Sequence, residues 1–199
     1  LVVSNYIQNY KKLKQFFFKS ILKINLKKNN TNCISVSKST KKDILKYIDS
    51  KCKDKIKVVY EDAFDISIKN FKDNYHVNKV LNLKYLLYIG DRRPHKNLPK
   101  MIEIFTLLQK KHDYNGYFVI AGSEKNFDID IDGMVSNNEK IKLIGKVSDN
   151  ELLSLYKNME SLFFISKYEG FGLPIIESAR LMKKIITTKT SSCGEIAPE

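Results

Sequence analysis

From Lys84 onward, short unbroken runs of apolar residues alternate with stretches whose apolar residues recur every three or four positions. The runs Tyr85–Ile89, Tyr117–Ala121, Ile141–Ile144, 161–165 and 184–188 predict strands. Between them, a helix is predicted from about Pro99 to Lys111, with Ile102, Phe105 and Leu108 as its apolar stripe. Ser148 and Glu151 have the spacing of a capping box and open a second helix through Leu152, Leu155 and Tyr156. A third helix is predicted over about 174–183. Strands that are apolar throughout and separated by helices imply a parallel sheet covered on both faces. The expected fold class is therefore α/β. Ligands of such sheets sit at the carboxyl ends of the strands.

The first sixty residues have a different texture. A helix is expected over about 9–28, with Leu13, Phe17, Ile21 and Ile24 on one side and Phe18, Leu22 and Leu26 nearby. The strand 33–37 follows, then a helix through Ile44, Leu45 and Ile48 with its N-cap at Ser39 or Thr40, then the strand 57–60. The segment 61–83 is polar without a sustained period and is read as a linker. Three parts result: a first unit over 1–60, a linker over 61–83 and a second unit over 84–199.

Charge sharpens this division. Residues 1–60 hold fifteen Lys and no Arg against Asp43, Asp49 and Asp54, a net +12 out of +13 for all 199 residues. Such a segment suits an anionic surface, and a basic helix rich in phenylalanine over 9–28 suits a membrane interface. The rival reading is a helix packed on its own domain. No nucleic-acid reading motif accompanies the charge, so no nucleic-acid partner is expected. Cys33, Cys52 and Cys193 lack metal-type or paired spacing and read as free thiols of a reducing compartment. No signal peptide or membrane span is visible, so the expected location is cytoplasmic, with 9–28 the segment that would meet the inner face of the membrane. The chain begins at Leu1 and stops at Glu199, and both ends read as cut.

The chemistry concentrates at two strand ends. The string Glu169-Gly170-Phe171-Gly172-Leu173-Pro174-Ile175-Ile176-Glu177 takes an apolar strand through a glycine turn into a helix opened by proline. Glycines let backbone N–H groups approach a ligand, and a helix start favours negative charge. Glu169 and Glu177 can accept hydrogen bonds from ligand hydroxyls. After the first strand of the second unit comes Gly90-Asp91-Arg92-Arg93-Pro94-His95-Lys96-Asn97-Leu98. Its cations Arg92, Arg93 and Lys96 can neutralise a diphosphate. His95 reads as a loop residue. Taken singly, each string also has an ordinary reading, a capped helix start or a solvated basic loop. No His, Asp or Glu cluster suggests a metal site.

The first string resembles the E-x7-E signature of retaining, nucleotide-sugar-dependent glycosyltransferases of the GT-B fold, family 4. The loop 90–98 resembles that family's G-x-x-x-P-x-K-N-L element, and Ile34 to Ile44 resembles a stretch near the end of its acceptor domain. The resemblance implies a Rossmann-like donor domain over 84–199, incomplete at its C-terminus, preceded by the end of a second Rossmann-like, acceptor-binding domain. It implies that Gly90, Arg92, Arg93, Lys96, Gly122, Val147, Glu169, Gly170, Phe171, Gly172, Leu173 and Glu177 bind the donor. Glu169, Lys96 and Arg92 are the implied catalytic groups. Where relatives carry Asn-Gly after the Val-Tyr pair, this chain has Glu61-Asp62.

The implied reaction moves a sugar, GDP-mannose being the favoured donor, to a glycan or lipid-linked acceptor with retention of configuration. No cofactor or metal is implied, because the nucleotide sugar is itself a substrate. The family's acceptor-domain histidine would lie upstream of Leu1, so the fragment alone is expected to be inactive. Two other readings stay open. One is a glycoside hydrolase using Glu169 and Glu177 as an acid/base pair, and the other is a non-catalytic nucleotide-binding fragment.

Overall fold

The computed structural model describes residues 12–28, 30–63, 75–123 and 130–198. It contains two parallel sheets. The smaller pairs β1 (Cys33–Ser35) with β2 (Ile56–Val58). Around it lie α1 (Lys12–Lys27) and α2 (Lys38–Tyr47). This unit has its own small core of Leu26, Ile44, Ile48, Cys52 and Ile56.

The larger sheet has the order β5-β4-β3-β6-β7, all parallel. Its strands are β3 (Tyr85–Ile89), β4 (Tyr117–Ala121), β5 (Ile141–Gly145), β6 (Ser161–Phe164) and β7 (Lys184–Thr187). The helices between them are α4 (Leu98–His112), α5 (Ile131–Val135), α6 (Asp149–Asn158) and α7 (Leu173–Arg180), and α8 (Cys193–Ile196) follows β7. The central strand β3 and its neighbour β6 are buried almost throughout, as their unbroken apolar sequence requires. Phe105, Phe118 and Phe163 pack in sequence at ring separations of 5.5 Å. Burying each such ring contributes roughly 1.5–3 kcal/mol. The buried tyrosines keep their polar ends satisfied: Tyr85 donates to the carbonyl of Leu155 and Tyr88 to that of Asp91.

Strand order fixes where a ligand belongs. From β3 the chain winds outward through β4 to β5, then returns to place β6 against the other side of β3. The winding direction reverses between β3 and β6, and α/β sheets bind ligands outside the carboxyl ends of the strands at such a point. The loops leaving these two strands, 90–97 and 165–172, carry most of the basic string and the start of the glutamate string.

Several boundaries differ from expectation. The N-cap of α2 is Ser37, whose hydroxyl accepts the N–H of Thr40. Ser39 and Thr40 therefore lie inside the first turn rather than capping it. Within the expected linker 61–83, α3 (Tyr75–Leu81) places Val77 and Val80 in the main core. Two valines over seven residues are too short a pattern to betray a helix, and residues 64–74 lie outside the described residues. Of the predicted helix 9–28, residues 9–11 and the Leu13 side chain lie outside them as well. Its buried side is Leu22 and Leu26, whereas Phe17, Ile21 and Ile24 are exposed. The short helices α5 and α8 were not foreseen.

Candidate functional site

Strand β3 runs into Gly90, whose φ of 152° is open to glycine. Beside it, Gly122 at the end of β4 has φ 127° and lies so close that an added Cβ would sit 2.0 Å from the Gly90 carbonyl oxygen. Only a glycine at 122 allows this approach. It lets the chain leave the sheet edge at once, and the loop 90–97 then folds back over β6.

Three contacts stitch that loop to the one after β6. The N–H of Lys167 donates to the His95 carbonyl at 2.8 Å. The Asn97 side chain donates to the Ile165 carbonyl at 3.1 Å. Lys96 Nζ lies 2.8 Å from Glu169 Oε1 and 3.0 Å from Oε2. The Lys96 ammonium also sits 5.5 Å from the centre of the Phe164 ring. The cationic loop thus lies against the start of the glutamate string.

The two arginines face other partners. Arg92 is buried, and its Nη1 lies 2.8 Å from Asp132 Oδ2 on α5. Arg93 binds Asp91 through Nε at 2.7 Å and Nη2 at 2.5 Å. Burial raises the Asp91 carboxyl, but the hydrogen bonds and charge of Arg93 outweigh it and hold the group below the usual range. Lys96, by contrast, pairs with Glu169. His95 is buried in the same loop, and burial, reinforced by the charge of Lys96, lowers its imidazole and favours the neutral form.

The two glutamates occupy different settings. Glu177 lies within α7, nine-tenths buried, and accepts the Tyr156 hydroxyl at 2.5 Å. Burial raises its carboxyl, against the opposing pull of that hydrogen bond. Glu169 pairs with Lys96, and its backbone is held by two serines after β7: its N–H donates to Ser191 Oγ and its carbonyl accepts from Ser192. Gly172 takes φ 109° as the N-cap of α7, followed by Leu173 and Pro174. Gly170 needs no such angle, and its nearest atom to an added Cβ is 3.9 Å away. Phe171 is buried and stacks on Tyr60 of the first unit at 6.2 Å. Val147 packs at the edge of the main core after β5.

Tyr156, Ser191 and Ser192 were missed by sequence reasoning. Tyr156 carries only the signal of an apolar helix stripe, and the serines carry none. A cavity of about 420 Å³ lies on the α4 side of the basic loop, lined by Pro94, Asn97, Lys100, Glu103 and Met134 among others, but by neither glutamate. Among the described residues no helix is long and apolar enough to cross a membrane, and no group of three or more His, Cys, Asp or Glu could hold a metal ion.

Comparison with known proteins bears on the family and the fold. Residues 71–199, more than half of the chain, match the family described as glycosyl transferases group 1. The capsular polysaccharide biosynthesis glycosyltransferase CapM of Staphylococcus aureus is 28% identical over 132 residues, 65% of this chain. The chain spans only 34% of that relative's length. Among solved structures, WaaG, a glycosyltransferase involved in lipopolysaccharide biosynthesis, superposes with a TM-score of 0.72 at 13% identity. That match covers 98% of this chain and 56% of WaaG. Anabaena HepE, solved in complex with UDP-glucose, gives 0.69 at 14% identity over 94% of this chain and 53% of HepE. The WaaG and HepE likenesses show a shared fold, the GT-B glycosyltransferase architecture.

Proposed function

The chain belongs to the glycosyl transferases group 1 family, and we propose that it serves the transfer of a sugar from a nucleotide diphosphate sugar to a hydroxyl of a glycan or lipid-linked acceptor. The observation that carries this reading is the meeting of Lys96 with Glu169 at the reversal point of the sheet. Breaking the anomeric C–O bond leaves negative charge on the departing diphosphate. A fixed ammonium and preset peptide N–H groups stabilise such charge as it develops. In this reading Lys96 and the N–H groups of the 170–173 turn hold the diphosphate, and Glu169 accepts hydroxyls of the transferred sugar. Glu177, oriented by Tyr156, accepts the ribose hydroxyls. The reaction proceeds with retention and needs no metal ion, because Lys96 and the start of α7 supply the positive field.

A nucleotide-sugar donor accords with the UDP-glucose held by HepE, and a glycan product with the capsular polysaccharide biosynthesis of CapM. The likeness of the 90–98 loop to mannosyltransferase-type members of the family is the ground for proposing GDP-mannose as the donor. Calorimetry against a panel of UDP- and GDP-sugars tests the donor site, and release of nucleoside diphosphate in the presence of lipid-linked acceptors tests transfer. Absence of binding to every nucleotide sugar overturns the reading. Hydrolysis of simple aryl glycosides without nucleotide would favour a hydrolase instead.

A second reading concerns location at the inner face of a membrane. On α1, Phe16, Phe17, Phe18, Ile21 and Ile24 are exposed, within the segment that holds nearly all the net positive charge. An apolar face flanked by lysines suits an anionic bilayer. Cosedimentation with vesicles containing phosphatidylglycerol, lost in pure phosphatidylcholine and lost with a Phe16→Ser/Phe17→Ser double variant, is the expected outcome. Equal sedimentation with both lipids would refute it.

A further inference from the structure

The first unit grips the donor loop at one peptide. The hydroxyls of Ser37 and Thr40, at the start of α2, both donate to the Gly170 carbonyl, at 2.7 and 3.0 Å. One residue earlier, Ser192 donates to the Glu169 carbonyl and Ser191 accepts the Glu169 N–H. In a planar trans peptide the carbonyl of one residue and the N–H of the next point in opposite directions. Anchoring the carbonyls of Glu169 and Gly170 therefore aims the N–H groups of Gly170 and Phe171 away from these hydroxyls. Neither N–H has a hydrogen-bond partner among the described residues.

The grip is itself clamped. Glu195 on α8 accepts the N–H groups of Lys38 and Ser39 at 2.7 and 3.0 Å, and the Tyr60 hydroxyl at 2.8 Å. A carboxylate is well placed at a helix start, where N–H groups lack intrahelical partners. Tyr168 donates to Asp43, one turn further along α2. Arg180 on α7 binds Asp62 at 2.9 Å and the Ala63 carbonyl at 2.9 Å. The Glu195 and Tyr168 contacts join the small unit, and the Arg180 contacts the start of the linker, to elements that border the site.

We propose that Ser37 and Thr40 are positioning residues of the donor site, and that Glu195 latches α2 so that seating of the first unit presets the phosphate-facing N–H groups of Gly170 and Phe171. The inference rests on the donor-site reading above. It makes affinity for the diphosphate depend on residues that lie in the other unit and touch no donor atom.

Calorimetric titration of the 199-residue chain with UDP and GDP tests it, with the matching nucleosides as controls. Thr40→Val keeps nearly the same shape and removes the hydroxyl. Loss of one net hydrogen bond corresponds to about fivefold weaker diphosphate binding, with nucleoside affinity unchanged and Thr40→Ser restoring the loss. Glu195→Gln, which weakens the latch without touching Gly170, gives a loss in the same direction. Equal losses for nucleoside and diphosphate would mark a general structural defect and overturn the proposal. Unchanged diphosphate affinity in both variants, with Lys96→Ala still weakened, would overturn it while leaving the donor site standing. A chain that binds neither UDP nor GDP would remove both.

Discussion

Lys96 Nζ bridges both carboxylate oxygens of Glu169, at 2.8 and 3.0 Å, across 73 positions of chain. Both side chains are almost nine-tenths covered. Removing one partner leaves the other's charge poorly solvated, at a cost on the order of 3 kcal/mol for a buried pair. We expect Lys96→Ala and Glu169→Ala each to lower the thermal midpoint, and the double variant to recover part of the loss. Strictly additive losses in this double-mutant cycle would mean that the two are not coupled.

The same lysine separates phosphate from base. Charge-assisted hydrogen bonds contribute about 1.5–3 kcal/mol, so Lys96→Ala should weaken UDP or GDP by about tenfold or more and the nucleoside far less. Titration of all four ligands reads the difference, and parallel losses would argue against a phosphate contact.

Glu177 calls for a gentle substitution. Alanine would strand the Tyr156 hydroxyl, which donates to this carboxylate in the core, so Glu177→Gln isolates the ligand effect better. We expect Glu177→Gln to weaken nucleotide-sugar binding by about tenfold, the value of one hydrogen bond to a charged acceptor. Unchanged affinity by calorimetry would reject the ribose role.

The same carboxyl sets a pH dependence. Burial holds it above its ordinary value in the folded chain. Its contribution to stability is therefore complete below the unfolded carboxylate value of about 4.3 and fades as pH rises through the raised folded value. Nucleoside hydroxyls need the ionised form, so nucleoside affinity should climb across that same upper step. A Glu177→Gln chain should show a flat profile there, and an unaltered slope would assign the step elsewhere.

Two glycines should behave oppositely. At Gly122, a Cβ would meet the Gly90 carbonyl at 2.0 Å with φ already at 127°, so Gly122→Ala should cost about 3 kcal/mol or more. At Gly170 the space is open, so Gly170→Ala should fold with an unchanged melting midpoint. Loss of nucleotide affinity in that folded variant would locate the ligand against the Gly170 backbone. Full affinity would place it further away.

The inner strands of the larger sheet were legible because they are short apolar runs buried on both faces, as Tyr85–Ile89 and 161–165 illustrate. The Ser148–Glu151 capping box was legible because its partners are three residues apart and bind each other directly. The same locality explains the misses. Ser39 and Thr40 look like caps, but the cap falls to Ser37, whose hydroxyl also reaches Gly170 across 133 positions. Arg92 and Arg93 look equivalent to Lys96 until the fold gives Arg92 to Asp132 and Arg93 to Asp91.

Local order along the chain determined the alternating elements, the glycine-proline turn into α7 and the supply of cations and carboxylates at two strand ends, because periodicity and turn chemistry act over a few residues. Only the tertiary structure decided that β6 returns beside β3, which cation meets Glu169, that Tyr156 holds Glu177 and that the first unit grips Gly170. Those outcomes depend on which surfaces bury one another, and no spacing between neighbouring residues encodes that.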